Sequence, residues 1–434
     1  VIPVPTRRLA AVAALGSLVV VALPFGRRLL VVDGLLLAVA AVDWLLAVRP
    51  LRVQVERELP GVLALGGTGE VVWRLRNPTS RRLRVSLADD LAPSLRAGTR
   101  RVRVTIPARG RAEARTTIQP ARRGRFGPAT VTLRVEGPLG LAARQSRLAL
   151  PGRLRVFPPF RSRDEAELRI NKARILEVGL RSAQGRGGGT EFDQLREYSV
   201  DDEFRRIDWS ATARAGKTIV RTYRAERNQT VIMLLDNGRV MAGRVDDVPR
   251  VEHAMDAVMM MTAVATRLGD RCGLVAFDRR VQRIVAPAQS RNQLARVTEA
   301  MYELEPQLAE SDYRGAFTET LRRFRRRAMI VILTDLVEQA VGDSLVPALP
   351  LIVRNHLVVV AGVQDPDVVH WAAATPTDAS GAYRKAAAVR SLEERRRTVA
   401  RLRGLGATVV DAPPGRLAPA LADTYLGVKA TGGL

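Results

Sequence analysis

Two aspartates stand where an open α/β sheet would do chemistry. Asp236 closes the apolar run Val231-Ile232-Met233-Leu234-Leu235, and Asp335 follows Met329-Ile330-Val331-Ile332-Leu333-Thr334. Ligands of such sheets bind beyond the carboxyl ends of the strands. Two carboxylates there can share one hard cation such as Mg²⁺, which takes oxygen ligands. Other chemistry finds little support. The histidines His253, His356 and His370 are too scattered for common zinc patterns, and no Gly-x-Ser-x-Gly elbow or other nucleophile-base pair occurs. Cys272, the single cysteine, sits in an apolar stretch that predicts burial rather than reactivity. Gly216-Lys217-Thr218 ends like a phosphate-binding loop, but Ala211 stands where the first glycine is required and the residues before it are too polar for a buried strand. The sequence therefore predicts no catalytic residue.

The pair Asp236 and Asp335 resembles the metal-ion-dependent adhesion site of the von Willebrand factor A fold. That site uses Asp-x-Ser-x-Ser, a threonine from another loop and a further aspartate. Here Asp236-Asn237-Gly238-Arg239-Val240 lacks both serines, and Arg239 brings a competing cation. Ser311 or Asp312, in Ser311-Asp312-Tyr313-Arg314, is the candidate to replace the threonine. The resemblance implies a degenerate Mg²⁺ site at Asp236, Asp335 and Asp312; the alternative is that the aspartates bond nearby backbone and helix N-termini. No other cofactor is expected.

A longer signature lies in a charged block. Arg196-Glu197-Tyr198, Asp201-Asp202, Arg205-Arg206-Ile207-Asp208-Trp209 and Ala213-Arg214 resemble the domain of unknown function 58 family, as do Arg123-Gly124-Arg125-Phe126-Gly127-Pro128 and Gly137-Pro138-Leu139-Gly140-Leu141. The resemblance implies a membrane-anchored protein with a cytoplasmic von Willebrand A-like domain. It also implies a MoxR-type AAA+ ATPase as partner, sometimes beside a transglutaminase-like membrane protein, with this chain as a non-enzymatic adaptor in envelope-related assembly. The alternative is a metal-dependent adhesion receptor. The block's alternating signs suit either an internal ion-pair lattice or a docking surface.

The elements around these residues follow from patterning. The chain has 434 residues, enough for about three folded units. Residues 1–50 are expected to form a helical hairpin, 51–159 a β-sandwich, 160–228 a charged connector containing Gly185-Arg186-Gly187-Gly188-Gly189, and 229–434 an α/β domain. In the second segment short stretches such as Val71-Val72-Trp73-Arg74-Leu75-Arg76 alternate apolar and polar residues, the period of half-buried strands. In the last, apolar strands alternate with helical patterns, implying a largely parallel sheet covered on both faces. Arg395-Arg396-Arg397, after Glu393 and Glu394, reads as a solvated helix face.

Net charge is +25, but lysine occurs only at Lys172, Lys217, Lys385 and Lys429. With aromatics at 4%, stacking platforms are scarce and no nucleic-acid partner is expected. Residues 9–25 carry no charge, and residues 29–48 carry only Asp33 and Asp43, which predicts two spans of the lipid bilayer joined at Gly26-Arg27-Arg28. A cleaved leader is the rival reading; Val1 reads as a literally translated alternative start codon. Arg7, Arg8, Arg49, Arg52 and Arg57 outnumber the two arginines of the turn, placing the bulk of the chain in the cytoplasm of a multi-pass cell-membrane protein. Asp33 and Asp43 are expected near headgroups or paired with arginines.

Overall fold

The computed structural model describes residues 2–21, 26–183, 191–200, 202–224 and 229–431. It divides into two compact units, Val1–Phe157 and Pro158–Leu434. Asp201 and the glycine run at 185–189 lie outside the described residues.

In the first unit the period-two stretches become antiparallel strands. One sheet runs in the order Ile2–Pro5, Ala142–Ala149, Thr130–Glu136, Leu83–Asp89, Arg101–Ile106; another joins Gln54–Glu58, Gly69–Arg76 and Arg111–Ile118. Because successive side chains point to opposite faces, Val85, Leu87, Leu133 and Val135 of the first sheet meet Trp73, Leu75 and Ile118 of the second in one core. The sheets are also tied by a buried ion pair: Asp89 accepts from Arg57 and from Trp73 Nε1, each at 2.5 Å.

Two helices precede this core, Arg7–Val21 and Gly26–Leu46. The first has 15 residues, about 22 Å at ~1.5 Å per residue and short of a hydrocarbon layer of roughly 30 Å. Among the described residues one helix, Val31–Arg52, is long and apolar enough to cross a membrane. Asp33 is exposed. Asp43 is fully buried and does not pair with Arg49: it accepts from the backbone amides of Leu139 (2.7 Å), Leu141 (2.8 Å) and Ala142 (2.9 Å). Three amide donors satisfy a carboxylate without a cation. Gly137 packs so tightly on Asp43 that a Cβ would lie 2.4 Å from its carboxylate, and Gly140 turns at φ +74°. The glycines of Gly137-Pro138-Leu139-Gly140-Leu141 are thus the shape of this contact.

The second unit is mixed α/β. Its six-stranded sheet runs Val281–Ala288, Arg271–Phe277, Thr230–Asp236, Met329–Leu333, Leu357–Val363, Thr408–Ala412. All neighbours are parallel except the edge strand Val281–Ala288. Strands in such a sheet are apolar throughout because both faces are covered. Val231, Met233 and Leu235 enter a core with helices Arg250–Arg267 and Leu417–Ala430, whereas Ile232 and Leu234 enter one with helix Tyr313–Arg323. Cys272 is fully buried, and burial pushes its thiol up to about 12.

Candidate functional site

The carboxyl end of the six-stranded sheet is bonded shut from within. Asp236 is fully buried. Its Oδ1 accepts from Gly238 N at 2.8 Å and from Ser311 Oγ; its Oδ2 accepts from Tyr313 OH at 2.7 Å and Thr334 Oγ1 at 2.6 Å. Burial and the adjacent carboxylate hold the Tyr313 hydroxyl well above its ordinary pKa, so it remains a donor. A Cβ on Gly238 would lie 2.1 Å from Ser311 Oγ, which explains why neither serine nor any larger residue stands there.

Asp335 is bonded differently. Its Oδ1 accepts from Arg395 Nη1 and from Leu336 N, each at 2.9 Å, and Arg250 Nε lies 3.3 Å from Oδ2. Arg395 also grips both oxygens of Asp411, at 2.7 and 2.8 Å, and donates to Val363 O. Burial opposes charge on Arg395, but Asp411 and Asp335 outweigh it and hold the guanidinium protonated. Asp312 caps helix Tyr313–Arg323 by accepting from Gly315 N at 2.8 Å.

These residues do not fit a Mg²⁺ shell. Asp236 has spent its lone pairs on neutral donors, Asp335 is neutralised by guanidinium, and Asp312 serves a helix end. No group of three His, Cys, Asp or Glu side chains converges among the described residues. Arg395, sixty residues downstream, supplies the positive charge at Asp335, where the sequence reading placed an ion. The reading of Arg395-Arg396-Arg397 as one solvated face is corrected: Arg396 and Arg397 are exposed, but the Arg395 side chain is 14% exposed.

The charged block folds as a hairpin of strands Glu191–Glu197 and Ile219–Arg224, with helix Trp209–Ala215 between them. Asp208 caps that helix, accepting from Ser210 N and Ala211 N at 3.0 Å, and from Arg221 Nε at 2.7 Å. The Arg221 hydrogen bond, then the Ala211 amide, hold its carboxyl below the usual carboxylate range. Gly216 ends the helix at φ +68°, and Lys217 pairs with Glu197 at 3.2 Å. Gly216-Lys217-Thr218 therefore closes a helix rather than opening one, the reverse of a phosphate-binding loop.

Other charges also turn inward on the segment. Asp202 accepts from Arg196 and from Ser199 N, Arg206 pairs with Glu203 at 3.3 Å, and Arg214 donates to Ser210 O. Arg205 is exposed. The apolar members behave in the opposite way: Val200, Phe204 and Trp209 are 92%, 68% and 61% exposed, and Leu195 and Tyr198 are exposed too. Phe204 and Trp209 meet edge to face with centroids 5.7 Å apart. An uncovered tryptophan and phenylalanine in contact, flanked by arginine, have the composition of a protein-binding surface. Attention to charge missed them; the signal available was Phe204 and Trp209 occurring in a segment otherwise too polar to bury them.

Comparison with known proteins is sparing. No curated protein matches this chain. Similar solved structures include the CARDB domain of PF1109 from Pyrococcus furiosus, at 11% identity over 23% of this chain and 94% of that one with a TM-score of 0.17. They also include proximal thread matrix protein 1 from the mussel byssus, at 10% identity over 48% of each chain with a TM-score of 0.27. At these TM-scores the likeness carries no weight. The charged block and most of the sheet that follows it, residues 194–371, match the family described as Protein of unknown function DUF58.

Proposed function

We propose that the chain is a non-enzymatic, membrane-anchored adaptor whose von Willebrand A-like unit recruits or regulates a MoxR-like AAA+ ATPase through the segment containing Phe204 and Trp209. The observation that carries this reading is the inversion on that segment: most of its charges are bonded within it while its largest apolar groups face solvent. Such aromatic residues are the commonest anchors of protein interfaces. A transglutaminase-like membrane protein is a further partner of the assembly.

Support for a two-pass anchor comes from pairing outside the helices. Ile2–Pro5, before the first helix, pairs with Ala142–Ala149, after the second, and the strand that directly follows the second helix, Gln54–Glu58, lies in the other sheet of the same unit, so both ends of the helical pair lead into one folded unit. A chain that leaves a folded unit, enters a bilayer and returns to the same unit crosses an even number of times. Exposed Val31, Leu35, Leu37, Val42 and Leu45 supply the lipid-facing surface, and the arginine balance sets the cytoplasmic side.

The test is co-purification of the full chain with a MoxR-like AAA+ ATPase from the same source. Truncating Trp209 or Phe204 to alanine is expected to weaken capture about thirtyfold, the size of an interface hot spot of ~2 kcal/mol. Undiminished capture by the double variant ends the adaptor reading at this surface. The receptor reading needs an ion that the bonded carboxylates do not favour; calorimetric heat on Mg²⁺ addition, lost in Asp335→Ala, would restore it.

A further inference from the structure

Where the second helix ends, a cavity of about 530 Å³ opens between it and one end of the strands Leu83–Asp89, Arg101–Ile106 and Thr130–Glu136, lined by Leu46, Ala47, Arg81, Arg82, Arg84 and Glu136, among others. Its charge is one-sided. Arg84 and Glu136 lie 3.2 Å apart and offset one another. Arg81 and Arg82 are exposed and pair with no carboxylate among the described residues. The helix wall is apolar, with Leu46 half exposed.

Position gives this charge its meaning. The second helix has 21 residues, about 31 Å at ~1.5 Å per residue, one hydrocarbon thickness. Its Leu46 end therefore reaches headgroup level when the helix spans. The junction is also held fixed. Asp43 takes three amides of the neighbouring turn. Arg144 donates to the carbonyls of Trp44 (2.8 Å) and Leu45 (3.1 Å) and stacks 4.8 Å from the Trp44 ring. A basic cavity thus stays open beside an uncovered apolar helix.

We propose that this cavity binds the phosphate of one anionic phospholipid, with Arg81 and Arg82 as its cationic contacts and Leu46 beside the first acyl carbons. Guanidinium forks match phosphate oxygens in pairs, and the acyl chains continue along the exposed face of the helix. The proposal rests on the membrane reading above.

Native mass spectrometry of the full chain in neutral detergent, titrated with dioleoyl phosphatidylglycerol or dioleoyl phosphatidylcholine, tests it. The first phosphatidylglycerol is expected to bind at least about tenfold more tightly than phosphatidylcholine. The double substitution Arg81→Gln, Arg82→Gln should weaken phosphatidylglycerol binding about thirtyfold, roughly fivefold per basic group near an anionic surface. Glu136→Gln, which releases Arg84, should tighten it, a gain that misfolding cannot imitate. Arg111→Gln, on the other sheet, should leave it unchanged.

Equal affinity for the two lipids, or a double variant that keeps the preference, overturns the proposal. So does displacement by inorganic phosphate at constant ionic strength, which would make the ligand a free anion. Flotation with phosphatidylcholine vesicles separates the two levels of argument. Wild-type chain that floats without lipid preference sinks this proposal alone; chain that does not float sinks the membrane reading.

Discussion

The carboxyl end of the six-stranded sheet and the segment around Trp209 are both dense in charge, yet they resolve it differently. At the sheet, Asp236 is closed by neutral donors, and Asp335, Arg395 and Asp411, buried or nearly so, close on one another. On the segment, pairs such as Arg196–Asp202 fold the chain while Phe204 and Trp209 remain in water. The first region has the position of a binding site and the bonding of a keystone. The second has an unremarkable position and an unspent apolar surface. Position in a fold says where chemistry is possible; unsatisfied groups say where it is still available.

This contrast can be broken most sharply at Arg395. Arg395→Met strands Asp411 without its cation and leaves Asp335 with Arg250 alone, and is expected to destabilise the second unit by roughly 3 kcal/mol in denaturant unfolding. Trp209→Ala should cost about 0.5 kcal/mol or less in the same measurement while abolishing most ATPase capture. If the two variants exchange these phenotypes, the assignment of roles is reversed.

A smaller effect is expected at Asp208, whose carboxylate caps helix Trp209–Ala215 and holds Arg221. Asp208→Ala should loosen the segment locally, so limited proteolysis at Arg205, Arg206 and Arg214 accelerates while global unfolding changes little. Unaltered cleavage would show that the aromatic surface holds its shape without the cap.

The smallest effect concerns pH. Burial, then Arg161, lowers the pKa of His253; burial, then Arg327, lowers that of His356, whose Nδ1 accepts from Ala328 N. The folded chain keeps both neutral, whereas the unfolded chain protonates near pH ~6.5. Below that pH the unfolded state binds more protons, so stability is full above it and falls toward the depressed folded values. Asp256, raised by burial, acts oppositely at lower pH. Unfolding free energies from denaturant titrations at pH 7.5 and 5.5 should differ by about 0.5 kcal/mol or less per histidine once solvent screening is allowed for, with the difference reduced in His356→Asn. A flat profile would count against both shifts.

Much of the frame was legible because it depends on local periodicity. Alternation along Val71-Val72-Trp73-Arg74-Leu75-Arg76 gave a strand, and wholly apolar runs ending in Asp236 and Thr334-Asp335 gave strands of a largely parallel sheet. The fate of each aspartate was not legible, since it depends on partners far along the chain. Arg395 lies sixty residues from Asp335, and Leu139 lies ninety-six from Asp43. A carboxylate in sequence looks the same whether it will meet an ion, a guanidinium or three amides. Exposure of Trp209 was hidden for the same reason: hydrophobicity predicts burial unless the number of available covers is known.

The pairing of Ile2–Pro5 with Ala142–Ala149 also sets an order of events during synthesis. The outermost strand of that sheet leaves the ribosome first, and its partner is more than a hundred residues away. Loop closure over that distance is slow, so residues 2–5 wait unpaired while both helices and most of the β-rich unit emerge. Edge zippering of Ile2–Pro5 is then a late step, possible only once its partner Ala142–Ala149 has emerged. A chain stalled before residue 142 would leave the backbone of residues 2–5 without its ladder, whereas one that has passed Ala149 holds it by strand pairing.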